Sequence, residues 1–251
     1  MAVVAREVLA GCDVVACDAR AVADAAIGFG MAPAAIERFP WGVDLARFRP
    51  GESRKLREQL GWDHTFVVLC ARAHEPMYGL PVLVEGFVQA AARRPELRLL
   101  ILGDGSQRAD LEARVTAAGL VSRVHFAGRV DQTVLPAYFA AADCYASASR
   151  VDGSSVSLLE ALAAGLPAVA TAVGGNPEWI TPGVTGWLVP VDDAGALGAA
   201  LVDVAALPAH RLEAMAAAAR RVAEDRADWR RNVRVFVGAV ARAAAVGRVA
   251  G

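Results

Sequence analysis

The chain has 251 residues, 55% of them hydrophobic, 21% charged and only 6% aromatic, with a formal net charge of −1. That much small apolar residue, including 55 alanines, builds a core and excludes intrinsic disorder, while the balanced charge excludes a non-specific nucleic-acid binder. The length allows one large domain or one and a half smaller ones, and the cations are 25 arginines against one lysine, Lys55.

In chain order, the spacing predicts a helix over Val3–Ala10, a strand over Asp13–Cys17, a helix over Arg20–Phe29 and a strand ending near Pro40. Trp41-Gly42-Val43-Asp44 then leads into Pro50-Gly51, read as a linker. Arg6, Glu7, Asp13 and Asp18 interrupt the first twenty residues, so no signal peptide is expected. Beyond the linker, short apolar runs read as buried parallel strands: Phe66–Cys70, Leu97–Leu102, Val124–Ala127, Cys144–Ala148 and Ala168–Val173. Helix-like stretches separate them at Leu80–Arg93, Gln107–Ala118, Thr133–Ala142 and Val156–Ala164. This alternation predicts an α/β, doubly wound parallel sheet of Rossmann-like type. Ala209–Ala250 reads as two Ala/Arg-rich helices divided near Asp228-Trp229. No run reaches the 18 uncharged apolar residues of a membrane span. Cys12, Cys17, Cys70 and Cys144 form neither a disulfide framework nor a zinc-ligand pattern; all four are expected to be buried, in a cytoplasmic protein.

Open parallel sheets bind ligands at the carboxyl ends of their strands. Here those ends carry Arg72, Gly103-Asp104-Gly105, Gly128-Arg129, Ser149–Ser155 and Gly174-Gly175-Asn176, a rim suited to a phosphorylated small molecule. The stretch from Arg150 to Pro167 is the most informative. A strand end and a turn at Gly153 precede hydroxyl cap candidates Ser154 and Ser155 and then a helix, whose free N–H groups and dipole favour an anion. Glu160 lies roughly 8 Å further along that helix, within reach of a ribose diol. An ordinary capped helix with a buried, paired glutamate fits the same residues. Arg72 suits bidentate phosphate contact or a surface ion pair. Gly103-x-Gly105 lacks the third glycine and the following acid of a dinucleotide fingerprint, which disfavours NAD chemistry. Pro177 suits the first turn of a short helix after Gly174-Gly175. His64, His74, His125 and His210 are scattered and none is assigned a catalytic role.

Taken together, Arg72, Gly103-Asp104-Gly105, Phe126-Ala127-Gly128-Arg129, Asp152-x7-Glu160, Gly174-Gly175-x-x-Glu178 and Thr185–Val189 resemble the donor domain of the retaining family 4 glycosyltransferases. Pro40-Trp41-Gly42-Val43-Asp44-x-x-x-Phe48-x-Pro50 adds to the likeness, which runs from about residue 13 to about 205. The run around Ser154–Glu160 and Gly174–Ile180 looks closest to a bacterial branch acting on surface polysaccharides or small metabolites. The resemblance implies a glycosyltransferase-B fold of which this chain is the C-terminal, donor-binding half, with Arg72, Asp152 and Glu160 at the chemistry. It places Arg72 on the donor diphosphate and Glu160 on the ribose. Gly153, Ser154 and Ser155 would lie beneath sugar and phosphates, with Val156, Ser157 and Leu159 on the helix behind them. Gly103, Gly105, Gly174 and Gly175 would complete the rim, and Arg129 and Val130 would lie near the base. The implied donor is a UDP-sugar or GDP-sugar, without cofactor or metal.

Three features depart from the pattern. Met77 stands where the family often has a lysine, so Arg72 acts alone or with Arg150. Asp152 is one methylene shorter than the family glutamate. The third concerns domains: residues 1–50 read as the remnant of an acceptor domain plus linker, 51–228 as the donor domain, and 229–251 as a helix crossing back to the acceptor side. The expected partners are the donor, a carbohydrate, lipid-linked or small-metabolite acceptor, and either a separate acceptor-domain chain or a second copy, with no nucleic acid. The expected activity is sugar transfer with retention. A non-catalytic nucleotide-sugar-binding subunit or truncated remnant needing a partner chain, and a nucleotide-sugar epimerase, are the alternatives.

Overall fold

The computed structural model describes residues 2–51 and 54–247. The N-terminal part runs α1 (Ala2–Ala10), β1 (Val15–Cys17), α2 (Arg20–Gly28) and β2 (Ile36–Arg38), and β1 pairs in parallel with β2. After α3 (Arg54–Leu60) come β3 (Phe66–Ala71), α4 (Leu80–Arg93), β4 (Leu97–Leu102), α5 (Arg108–Ala117), β5 (Val124–Gly128) and α6 (Leu135–Ala140). They are followed by β6 (Cys144–Ser147), α7 (Val156–Ala163), β7 (Ala168–Thr171), α8 (Asn176–Trp179) and β8 (Gly186–Val189). Three helices close the chain: α9 (Ala194–Ala205), α10 (Ala209–Arg226) and α11 (Trp229–Gly247).

The main sheet has six parallel strands in the order β5-β4-β3-β6-β7-β8. It is buried on both faces, which is why its strands read as continuous apolar runs. Val67, Leu69, Leu100 and Tyr145 point to one side, against Phe139, Leu158 and Leu162. Val68, Cys70, Leu99 and Ile101 point to the other, against Leu83, Phe87, Leu197 and Leu201. The doubly wound sheet is as expected, with one strand more: β8 was not among the predicted strands, and neither α3 nor α9 was among the predicted helices. β8 begins at a glycine and forms one edge of the sheet, with its two middle residues only partly buried.

Two other expectations are corrected. The stretch from Trp41 to Pro50 is no loose linker. Val43 N donates to the Ala227 carbonyl (2.9 Å), Val43 O accepts from Trp229 N (3.2 Å), and Phe48 packs edge-on against Phe139. Arg220 donates to the carbonyls of Leu45, Phe48 and Ala163, stitching the segment to α7 and α10. Secondly, Cys12 is exposed, its thiol donating to Val8 O, while Cys17, Cys70 and Cys144 are buried. The α10–α11 division falls where predicted, and α11 packs back on the N-terminal part through Phe39–Phe236 and Trp41–Trp229. The end of that predicted helix, beyond Gly247, lies outside the described residues. Among them no helix is long and apolar enough to cross a membrane.

Candidate donor site

The strand order reverses between β3 and β6, and their carboxyl ends diverge there to leave a crevice. Arg72 follows β3, while Ser149, Asp152 and the start of α7 follow β6. The cleft at this point holds about 620 Å³ and is lined by Ala71–Ala73, Leu102–Asp104, Arg129, Val130, Gln132, Leu135, Val156, Ser157 and Glu160. Its walls need glycine at two places. Gly103 has φ 103°, and a Cβ there would lie 2.3 Å from the Arg72 carbonyl oxygen. Gly174 has φ 52°, and its Cβ would lie 1.7 Å from the Asp152 carbonyl oxygen, so only glycine lets the two loops meet.

Arg72 is nearly enclosed. Nη1 donates to Ser155 Oγ (2.8 Å) and, at 3.5 Å, to Ser157 Oγ; Nη2 donates to Ser149 Oγ (3.1 Å) and to the Asp152 carboxylate. The hydroxyls continue as a chain, with Ser147 Oγ 3.0 Å from Ser149 Oγ and Tyr145 Oη 2.8 Å from Ser157 Oγ. The guanidinium carbon lies 4.3 Å from the centre of the Tyr78 ring, a cation–π contact. Burial pushes the Asp152 carboxyl up, and Arg72 pulls it back down.

Ser155 is the N-cap of α7, its Oγ accepting from Leu158 N at 3.4 Å. Ser154 serves a different contact: its N–H donates to Asp18 Oδ2 (2.8 Å), and its hydroxyl donates to Asp18 O and accepts from Trp179 Nε1. Thus a carboxylate from the N-terminal part already occupies one of the N–H groups read as an anion donor. Glu178 binds that part too, accepting from Arg20 N (2.6 Å) and pairing with Arg38 (2.6 Å).

Glu160 is 9% exposed; among the described residues its carboxylate has no hydrogen-bond partner, and its oxygens are not fully enclosed but open to the cleft. The paired-glutamate reading therefore does not describe it. Burial pushes its pKa up to about 7, with Arg47 drawing it part of the way back. Arg47 donates to the Gln132 carbonyl, and with Glu160 and Gln132 it lines a smaller adjoining cleft of about 290 Å³.

Of the residues expected from sequence, Arg72, Gly103, Arg129, Val130, Val156, Ser157 and Glu160 line the donor cleft. Asp152 and Ser155 reach it through Arg72. Gly153, Gly174 and Gly175 support the loop from behind, Gly175 N donating to Gly153 O at 3.0 Å. Gly105 packs against His74 and Glu75, and Leu159 is wholly in the core. Arg150 does not approach Arg72; it pairs with Asp192 (2.8 Å) and donates to Pro76 O (2.8 Å). Lys55 lies on α3, outside the cleft lining. Sequence reasoning passed over Tyr78, Gln132, Leu135 and Arg47. Tyr78 carried one signal, its adjacency to the position of the missing lysine.

This is a Rossmann-like domain, the C-terminal domain of a glycosyltransferase-B fold. The chain matches the family described as "Glycosyl transferases group 1" over residues 64–207, and it belongs to that family. It is 34% identical over 206 residues to the GDP-mannose-dependent alpha-(1-6)-phosphatidylinositol monomannoside mannosyltransferase of Mycolicibacterium smegmatis, covering 78% of this chain and 54% of that one. The chain thus spans about half the length of that relative. The structure of Anabaena Alr3699/HepE in complex with UDP and glucose superposes with a TM-score of 0.83 at 24% identity, over 91% of this chain and 63% of that one. The C-terminal domain of a group 1 glycosyl transferase (LpcC) from Francisella tularensis matches with a TM-score of 0.64 at 23% identity, over 73% of this chain and 97% of that one.

Proposed function

We propose that this chain supplies the donor-binding half of a retaining glycosyltransferase, which moves a sugar from a nucleoside-diphosphate sugar to an acceptor hydroxyl. The observation that carries the reading is the convergence on one cleft, at the switch point of the sheet, of an enclosed arginine and, on the adjoining helix, a largely buried glutamate with no hydrogen-bond partner among the described residues. The diphosphate would meet Arg72, Ser157 and Arg129; the ribose diol would donate to Glu160. The reaction is a front-face displacement of the nucleoside diphosphate with no protein nucleophile, and the retained configuration follows from attack on the face the leaving group departs. Charge growing on the leaving phosphate is stabilised by the guanidinium and the first turn of α7. Because cationic side chains supply that stabilisation, we propose a metal-independent reaction, which chelator-treated enzyme would continue to catalyse.

The M. smegmatis relative's name makes GDP-mannose the first donor to test and a lipid-linked sugar the first acceptor. Isothermal titration with GDP, UDP and their sugars checks the assignment; absence of binding by every one of them would overturn it. The other expectation, a donor-binding subunit acting with a partner chain, is tested beside it. Turnover by the isolated chain, with size-exclusion analysis of its assembly, separates the two.

A further inference from the structure

We propose that Asp152 is the internal counter-ion of Arg72, occupying the guanidinium when the donor is absent and giving it up when the diphosphate enters. The inference rests on the donor-site reading above and adds to it a competition between a protein carboxylate and the ligand for the same cation.

Three observations carry it. First, both terminal nitrogens of Arg72 are committed without any ligand: Nη1 to Ser155 and Ser157, Nη2 to Ser149 and Asp152. Asp152 is the one carboxylate paired with Arg72 among the described residues. Second, the two side chains are only 10% and 12% exposed, so water screens their attraction weakly. A phosphate brought against the same guanidinium would face that carboxylate at close range, and two anions on one cation in such surroundings repel strongly. Third, the loop holding Asp152 is fixed from behind. Its carbonyl abuts Gly174, the Gly153 carbonyl accepts from Gly175 N, and Ser154 N donates to Asp18. The backbone is therefore the fixed part and the short side chain the part that moves.

The exchange has a direct consequence for turnover. After sugar transfer the nucleoside diphosphate carries more charge than the donor did and would remain on Arg72. A carboxylate poised to return shortens its stay. Asp152 is in this sense a positioning residue, acting on the ligand through Arg72 and lowering affinity rather than raising it.

The test is titration of parent, Asp152→Asn and Asp152→Glu proteins with GDP, UDP and inorganic pyrophosphate, with thermal unfolding to establish that each is folded. If Asp152→Asn is unstable, Asp152→Ser makes the same test. The expected result is tighter binding by the uncharged variant, on the order of tenfold, the scale of one close charge–charge coupling. Asp152→Glu, which keeps the charge, should bind within a few-fold of the parent. A residue that only braces the loop would lose affinity when replaced, so a gain distinguishes the two roles. Unchanged or weaker binding by the uncharged variants, in a parent that binds, overturns this proposal and leaves the donor-site reading standing. No binding of any probe by parent and variants overturns both.

Discussion

The two ends of the donor cleft are built in opposite ways. At the Arg72 end both terminal nitrogens are held inside the protein, by three hydroxyls, a carboxylate and the face of Tyr78, while Nε is buried without a hydrogen-bond partner among the described residues. At the Glu160 end the side chain is largely buried too, but its carboxylate has no hydrogen-bond partner among the described residues and its oxygens remain open to the cleft. Burial raises its pKa to about 7, which records that missing partner. An end whose cation is already held must exchange contacts to bind a ligand, so its gain is partly offset by the release of its own carboxylate. A carboxylate free of protein partners gives up only water when a diol arrives. On the proposed donor reading, Glu160 distinguishes ribose from deoxyribose, and Arg72 with Asp152 governs release.

The largest effect expected is that of Arg72→Ala. It removes the cation and strands Asp152, so the fold should lose about 3 kcal/mol, the usual cost of breaking a buried pair. Calorimetry should also show nucleoside diphosphate affinity falling by roughly a hundredfold, the loss of about two charged hydrogen bonds. Unchanged affinity would erase the distinction between the two ends.

Glu160→Gln should do the opposite to stability. The folded-state pKa lies above the unfolded value of 4.5, so ionisation disfavours the fold: parent stability declines as pH rises from about 4.5 to about 7 and is level above that. The glutamine variant escapes this decline and should be the more stable protein at pH 8, by up to about 3 kcal/mol, and no more stable at pH 4. Urea unfolding at both pH values measures it. A gain that persists at pH 4 would have another cause.

The same titration should appear in binding. A ribose diol donates to the ionised carboxylate, so nucleotide-sugar affinity should rise with pH toward a plateau above about 7, changing by up to about tenfold per unit below it. A nucleotide sugar is the proper probe, since its diphosphate has no ionisation of its own in that range. The slope should vanish in Glu160→Gln and with a 2′,3′-dideoxy analogue.

Smallest is the effect of Tyr78. Replacing it with alanine should weaken diphosphate binding by about 1 kcal/mol, the scale of a partly buried cation–π contact, and phenylalanine should restore it. Failure of phenylalanine to restore it would assign the contribution to the hydroxyl instead.

Much of this was open to a reading of the residues one stretch at a time. α4 was placed to the residue, the first five strands of the main sheet were found, and Arg72 and Glu160 were both singled out. Those features are local: buried parallel strands are continuously apolar, and a capped helix after a glycine turn announces itself within a dozen residues. α9 escaped because it is mostly small residues, apolar nearly all round, and β8, an edge strand that opens on a glycine, was passed over as well. Ser154 and Ser155 looked alike as caps; only the approach of Asp18, 136 positions away, set their different roles.

What local patterning settles, then, is the class of the sheet and the chemical character of its rim. That follows because burial and helix capping depend on neighbours a few residues apart. The order of the strands, and so the switch point, depends on how separate strand–helix units dock. Arg72 meets Asp152 across 80 positions and Ser149 across 77, at distances no spacing rule reaches. The expected help from Arg150 failed for the same reason, since Asp192 lies closer to it in space than anything its own stretch suggested. Composition marked this as a protein with almost no lysine to hold a phosphate; the packed fold decided that the enclosed Arg72 would be held by a carboxylate of its own.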